Sequence, residues 1–274
     1  MVVLIYYHLL FCFYIERLIY MLISITESCH MGCTHCMDDA KPSDNHMSYQ
    51  VFRDAVDFFN EHGNIEFVIT GGEPTDHPKF WDFLIYAANN VKGNVHEAHI
   101  TVTTNAMNLV HNSDAFNKIQ NLYDTFDCKI TFQVTSVDEY YPIKIDLNDD
   151  IFNLPNVILC QEIEAMYPMG RARDNNLEYN SKGSKCFNIR SLTRDMKSLD
   201  KAITILSLAF RFCTPQIDIY GNIKLGESLL CPIASTIYKT NDEIVEDICN
   251  FKCGYCNIVN SKLPKEYLEK IGEI

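Results

Sequence analysis

From residue 21 to residue 163 the chain alternates between short β-rich runs and longer runs with apolar residues at helical spacing. "MLISITE" (21–27), "IEFVIT" (65–70), "AHITVTT" (98–104), "KITFQVTS" (129–136) and "NVILCQEI" (156–163) read as strands. Residues 48–63, 78–91 and 113–126 read as helices, the first with Ser48 to cap its start and Gly63 to end it. Strands alternating with helices of this length confine the chain to βαβ units around a parallel sheet. In such folds the chemistry gathers at the carboxyl ends of the strands. "CHMGCTHC" (29–36), "GGEP" (71–74), "TTNA" (103–106) and "SVD" (136–138) each follow a predicted strand. Four polar segments are therefore expected on one rim.

The 274 residues are 47% hydrophobic and 22% charged, enough for one large core with or without an appendage. A formal charge of −13 and no basic run argue against nucleic-acid binding, which rests on Lys and Arg. There is no internal repeat. Twelve cysteines is a high number, and they are bunched: 29, 33 and 36, then 213, 231, 249, 253 and 256. Disulfide scaffolds are usually far smaller chains, and bunching at short spacings favours metal or cluster ligation in a reducing, cytoplasmic setting. Cys12, Cys128 and Cys160 lie in apolar runs and read as core or N-terminal residues. The apolar run at the start ends at Glu16 and Arg17, too short for an ordinary spanning helix, and it lacks a basic n-region and a small-residue cleavage site. It is either an extra hydrophobic helix or, as expected here, sequence upstream of a true start at Met21. No membrane association is expected.

Cys29, Cys33 and Cys36 form a C-x3-C-x2-C loop with three thiolates. A structural zinc site and an ordinary [4Fe–4S] cluster both take four protein ligands. Three in one loop can hold three irons and leave the fourth open to a non-protein ligand. This loop, directly after the first strand, resembles that of the radical S-adenosylmethionine superfamily. The resemblance covers about residues 21–172. It implies a [4Fe–4S] cluster on Cys29, Cys33 and Cys36 whose open iron is chelated by S-adenosylmethionine. It implies reductive cleavage to a 5′-deoxyadenosyl radical and hydrogen abstraction from substrate. A flavodoxin- or ferredoxin-type reductant is the partner implied.

By the same resemblance Gly71, Gly72, Glu73 and Pro74 match the segment that binds the methionine amino group. Glycines allow close backbone approach, and a carboxylate accepts from an ammonium. Thr104 and Asn105 match a Thr-Asn-Gly after the third strand, with Ala106 in place of the glycine; for Thr103 a cap or turn role is as plausible as ligand contact. Ser136 and Asp138 match a Ser-x-Asp after the fourth strand, and "PMGRA" (168–172) a Pro-x-Gly-Arg stretch, in which Arg171 either pairs a carboxylate or makes a surface salt bridge. His35 stands where an aromatic residue usually packs near the adenine. No Arg-Gly stretch follows "SVD", which leaves the substrate class open. His30, His46 and His77 fall in or beside rim loops with no role specified.

"RFCTPQIDIYGNIKLGESLLC" (211–231) reads as a hairpin with Gly221 at its turn, and "CNFKCGYC" (249–256) follows. Together they resemble the twitch module, the shortened SPASM domain. That implies one auxiliary cluster on Cys213, Cys231, Cys253 and Cys256, with Cys249 as a spare or replacement. Four thiolates at these spacings suit Zn²⁺ as a ribbon equally well. Cys186 reads as a partly buried thiol, the sharper alternatives being a substrate-facing residue or a fourth ligand. The expected architecture is a partial (β/α)6 TIM-like barrel over 21–207 and a small Cys-rich hairpin-and-helix domain over 208–274. The expected function is radical S-adenosylmethionine chemistry, with peptide modification as the first substrate reading and oxidation of a small molecule as the second. A non-enzymatic iron–sulfur or zinc protein is the alternative of another class, disfavoured by "GGEP" and "TTNA", which an electron carrier would not need.

Overall fold

A computed structural model describes residues 20–62, 66–92, 98–126, 129–136, 139–160, 165–166, 169–177, 180–181, 198–200, 203, 214–226 and 228–251. Five parallel strands follow one another in chain order: β1 (Tyr20–Ser24), β2 (Glu66–Thr70), β3 (His99–Thr104), β4 (Ile130–Val134) and β5 (Val157–Leu159). Helices α1 (Tyr49–His62), α2 (Phe80–Asn90) and α3 (Ser113–Phe126) make the first three crossovers. A 3-10 turn at Asp150–Asn153 precedes β5. These elements stand where the periodicity places them. The first strand is shorter than expected: past Ser24 the chain turns away, and Thr26 bridges His46.

Every second strand residue packs outward against the helices. Ile23, Phe67, Ile69, Ile100, Val102, Phe132 and Val134 are fully buried with Phe52, Phe59 and Phe83. Phe52 stacks on Phe83 at 4.3 Å between centroids, and Phe59 meets Phe67 edge-on at 5.0 Å. Each such aromatic stabilises the fold by about 2–3 kcal/mol through burial alone. Helix–sheet packing of this kind fixes strand register, because a one-residue slip would turn the whole apolar set over.

Beyond β5, β6 (Ala165–Met166) pairs antiparallel with β7 (Asn180–Ser181), and the short α4 (Gly170–Asp174) lies between them. The expected C-terminal hairpin is present as β8 (Pro215–Ile217) and β9 (Asn222–Leu225), followed by β10 (Ile233–Thr236) and α5 (Asn241–Asn250). Gly221 turns the hairpin at φ 82°, and Asp218 Oδ1 accepts from the backbone N–H of Tyr220 and Asn222. The sequence did not show where this hairpin docks. β8 lies parallel to β1, so the sheet order is β10-β9-β8-β1-β2-β3-β4-β5. The fold is α/β, a parallel sheet of partial TIM-barrel type with an antiparallel hairpin on its first edge. Among the described residues no helix is long and apolar enough to cross a membrane.

Candidate cluster and cofactor site

The loops after β1 and β2 continue to pair after their strands end. Ile25 N–H donates to Thr70 O, Gly72 N–H to Thr26 O and Glu73 N–H to Ser28 O, at 2.7–3.0 Å. This brings Cys29 beside the Gly-Gly turn. A Cβ on Gly71 (φ 150°) would stand 2.4 Å from Thr26 O, and one on Gly72 2.3 Å from Ser28 O. No other residue type lets the cysteine loop lie so close.

Glu73 is buried and ties the second loop to the third. Its carboxylate accepts from Thr75 N–H (3.2 Å), Thr75 Oγ1 (2.6 Å), Thr104 Oγ1 (2.6 Å) and Asn105 N–H (2.7 Å). Burial pushes its pKa up, and these donors pull against that. Asn105 Nδ2 points at Cys29 Sγ, 3.9 Å away. Ser136 donates its hydroxyl to Asn105 O at 2.6 Å, so it braces Asn105 from behind. Ala106 takes φ 59°, a conformation that costs about 1–2 kcal/mol for any residue with a Cβ. Its place is the one where the resembled pattern carries glycine.

Gly170 and Arg171 clamp the cysteine loop from its other side. Gly170 (φ 49°) fits against the carbonyls of Cys36 and Met37, where a Cβ would be 2.6–2.7 Å from either oxygen. Arg171 N–H donates to Cys36 O, its Nε to Cys33 O (2.8 Å), and its Nη1 to Ala40 O (2.9 Å) and Asp39 (3.2 Å). Its Nη2 is buried with no hydrogen-bond partner among the described residues. The carboxylate that Arg171 pairs is therefore Asp39, within the loop itself.

Cys29, Cys33 and Cys36 line one cleft of about 210 Å³ at the carboxyl ends of the strands, with Gly71, Gly72, Glu73, Thr104, Asn105, His35 and Arg171. Burial drives the Cys29 thiol up to about 11, and burial with the two neighbouring thiols drives Cys33 up to about 12; Cys36 is raised mainly by burial. A bound metal would have to displace the proton of each thiol. Among the described residues no three Cys, His, Asp or Glu side chains converge on a single ion. A cluster with one thiolate per iron spreads its ligands more widely than a mononuclear site does, and three thiols around a cleft suit it. The donor set fits a three-cysteine cluster, and the orphaned Arg171 Nη2 fits an anionic acceptor beside it. A second hollow of about 500 Å³ is lined by Tyr49 of α1, by Lys79 and by residues of α2 including Ile85 and Tyr86; no thiol is among its described lining residues.

Pro74 does not line the cleft; it opens a 3-10 turn capped by Glu73. His35 packs against Tyr140 and Tyr141, with centroids 5.5 and 5.0 Å away. Tyr141, Met37, Asp38 and Thr135 line the cleft without having been singled out in sequence. The Tyr-Tyr pair after "SVD" was the one available signal. Asp38, half-buried, accepts from Leu229 N–H at 2.7 Å, and Ser228 Oγ donates to Met37 O. The segment leading to Cys231 thus rests on the cysteine loop. Cys231 is buried and Cys249 half-buried on α5. Asp138, Cys186, Cys213, Cys253, Cys256 and residues 1–19 lie outside the described residues.

Residues 23–150 match the family model described as the Radical SAM superfamily. The GTP 3′,8-cyclase of Shewanella denitrificans is 29% identical over 135 residues, covering 46% of this chain and 38% of the relative. That of Haemophilus influenzae is 28% identical over 132 residues, 44% and 37% of the two chains. The chain thus spans well under half the length of these curated relatives. Among solved structures, BtrN in complex with AdoMet and 2-DOIA superposes with a TM-score of 0.53 at 12% identity, over 85% of this chain and 82% of that one. Streptococcus suis SuiB bound to precursor peptide SuiA gives 0.51 at 12% identity, over 86% and 68%. At this identity both report the fold.

Proposed function

We propose, from the match of residues 23–150 to the radical SAM superfamily model, that the chain is an enzyme that cleaves S-adenosylmethionine reductively and abstracts a hydrogen atom from substrate. The observation that carries it is the convergence of Cys29, Cys33 and Cys36 with Gly71–Glu73 and Asn105 on one cleft, with no fourth cysteine among the described residues that line it. Held by Cys29, Cys33 and Cys36, a [4Fe–4S] cluster would supply the single electron needed for reductive cleavage of bound S-adenosylmethionine and so for hydrogen abstraction from substrate.

The chain's own residues bind and orient. Cys29, Cys33 and Cys36 would hold three irons of the cluster. Asn105 Nδ2 tunes the Cys29 sulfur by donating towards it. The backbone of Gly71–Glu73 and the buried Glu73 carboxylate at the cleft wall would hold the methionine ammonium, and Arg171 Nη2 would meet its carboxylate. His35 and Tyr141 flank the adenine. Asp138 stays a proposed contact on resemblance alone. The electron donor is a flavodoxin- or ferredoxin-type protein, and the compartment is a reducing cytoplasm. Residues 208–274 are proposed to carry one auxiliary cluster on Cys213, Cys231, Cys253 and Cys256. In support, the segment before Cys231 packs directly on the radical-cluster loop.

Peptide modification is the substrate reading supported by the likeness of that tail to twitch and SPASM modules. Oxidation of a small molecule is the second reading. The curated relatives are named GTP 3′,8-cyclase, but the match covers only 46% of this chain and 38% of the relative. Anaerobically reconstituted protein given dithionite should release 5′-deoxyadenosine and methionine. Changing Cys29, Cys33 and Cys36 together to Ala should abolish that release, and release surviving the triple change would overturn the assignment.

A further inference from the structure

Two residues past "GGEP", at the end of the 3-10 turn that Glu73 caps, a second carboxylate is sealed against the cysteine loop. The Asp76 side chain is 4% exposed. Its Oδ2 accepts from His30 Nδ1 at 2.7 Å and from Ser28 Oγ at 3.4 Å, and these are the two neighbours of Cys29. Its Oδ1 accepts from Asn108 Nδ2 at 2.6 Å, and the same amide reaches Thr75 Oγ1 at 3.1 Å. An ionised carboxylate only accepts, so His30 carries a proton on Nδ1. The cysteine loop, the Gly-Gly-Glu loop and the loop after β3 are thus joined at one carboxylate. The loop itself alternates: Cys29, Met31 and Cys33 are buried, while His30, Gly32 and Thr34 are exposed. Asp76 meets it on the Cys29 side.

The three thiols do not stand in equal fields. Burial raises all of them, but the nearby charges differ. Glu73 and Asp76 raise Cys29 further, whereas Arg171 works against the rise at Cys33 and Cys36. Asn105 Nδ2, pointing at the Cys29 sulfur from the third loop, is the one counterweight named so far. A cluster that gains an electron becomes more negative, and a carboxylate sealed beside one of its ligands opposes that gain. Charge so well buried is little screened by salt.

We propose that Asp76 is a positioning residue that holds Ser28 and His30 on either side of Cys29 and sets the field there, so that the cluster's reduction potential is kept low and the reduced cluster is a stronger electron donor. The inference rests on the proposed function, because it concerns the cluster that Cys29, Cys33 and Cys36 would hold.

The test is a redox titration of the reconstituted protein followed by electron paramagnetic resonance, read on the signal that S-adenosylmethionine shifts. Asp76→Asn keeps the shape of the side chain and an oxygen for Asn108. Its iron content should match wild type, and its ratio of reduced to oxidised cluster at a fixed potential should rise about tenfold, which is about 59 mV for one electron. The same rise should appear in a His30→Gln background, where the donor to Oδ2 carries no charge. Asn108→Ala cuts the tie to the third loop but leaves the carboxylate, and should keep the wild-type ratio. Position 108 is exposed, so Asn108→Lys sets an ammonium against Asp76 without disturbing the core, and should raise the ratio. An unchanged or lowered ratio in iron-loaded Asp76→Asn overturns the proposal, and so does an equal rise in Asn108→Ala, which would make Asp76 a tie alone. Where Asp76→Asn fails to load iron, Asn108→Lys decides, and a wild-type ratio there overturns it. A wild-type protein whose cluster signal ignores S-adenosylmethionine overturns the proposed function instead.

Discussion

Glu73 shows how one buried side chain can hold several loops at once. It gathers Thr75, Thr104 and Asn105 around a carboxylate sealed from water. Glu73→Ala would leave two backbone N–H groups and two hydroxyls without their acceptor, each buried donor costing about 1–3 kcal/mol. A stability loss of roughly 3–5 kcal/mol by denaturant unfolding is expected, with S-adenosylmethionine binding weakened through the displaced Asn105. Glu73→Gln should do less harm, since one amide oxygen still accepts from Thr104 while its NH₂ faces the Asn105 N–H. Equal stability of wild type and Glu73→Ala would show that water satisfies these donors, and the residue would then be only a turn former. The sequence made the carboxylate visible as a cofactor contact. It could not show the intramolecular donors, because those come from residues 31 and 32 positions away.

At the scale of elements, local pattern carried most of the information. Apolar residues at 3.6-residue spacing placed α3 at 113–126, and β-rich runs placed β2 and β3 within a residue. The cysteine loop and the Gly-Gly turn were legible because each follows its strand directly. The Asp38–Leu229 bond was not, since it has no local pattern and joins residues 191 apart. Position within the loops also explains why glycine is needed. Gly72→Ala would put a methyl 2.3 Å from Ser28 O, a backbone atom that cannot swing aside. The two loops must then part. Iron content after reconstitution should fall to less than about half that of wild type, as expected where a ligand's supporting contact is lost. A Gly72→Ala protein that loads iron and binds S-adenosylmethionine normally would show that the close approach of the loops is dispensable.

For the molecule as a whole, the C-terminal hairpin is not a separate layer. β8 extends the parallel sheet at the β1 edge, and Ser228 and Leu229 bond the cysteine loop, so residues 214–251 are built onto the wall of the radical site. A change of function at about residue 208 therefore need not coincide with a break in the sheet. This contact also sharpens what the tail's cysteines should do. If Cys213, Cys231, Cys253 and Cys256 hold a second cluster, wild-type protein should carry about eight irons, and the Cys29/Cys33/Cys36 triple alanine variant about four. With four protein thiolates the residual cluster has no open iron, so its spectrum should not respond to S-adenosylmethionine. In the wild type, by contrast, adding S-adenosylmethionine should shift the signal of one cluster and leave the other unchanged. A triple variant holding one zinc and no iron would make the tail a ribbon that clasps the barrel edge through β8 and Asp38. Electron transfer through the tail would then have no carrier, and oxidation of substrate would require an external acceptor.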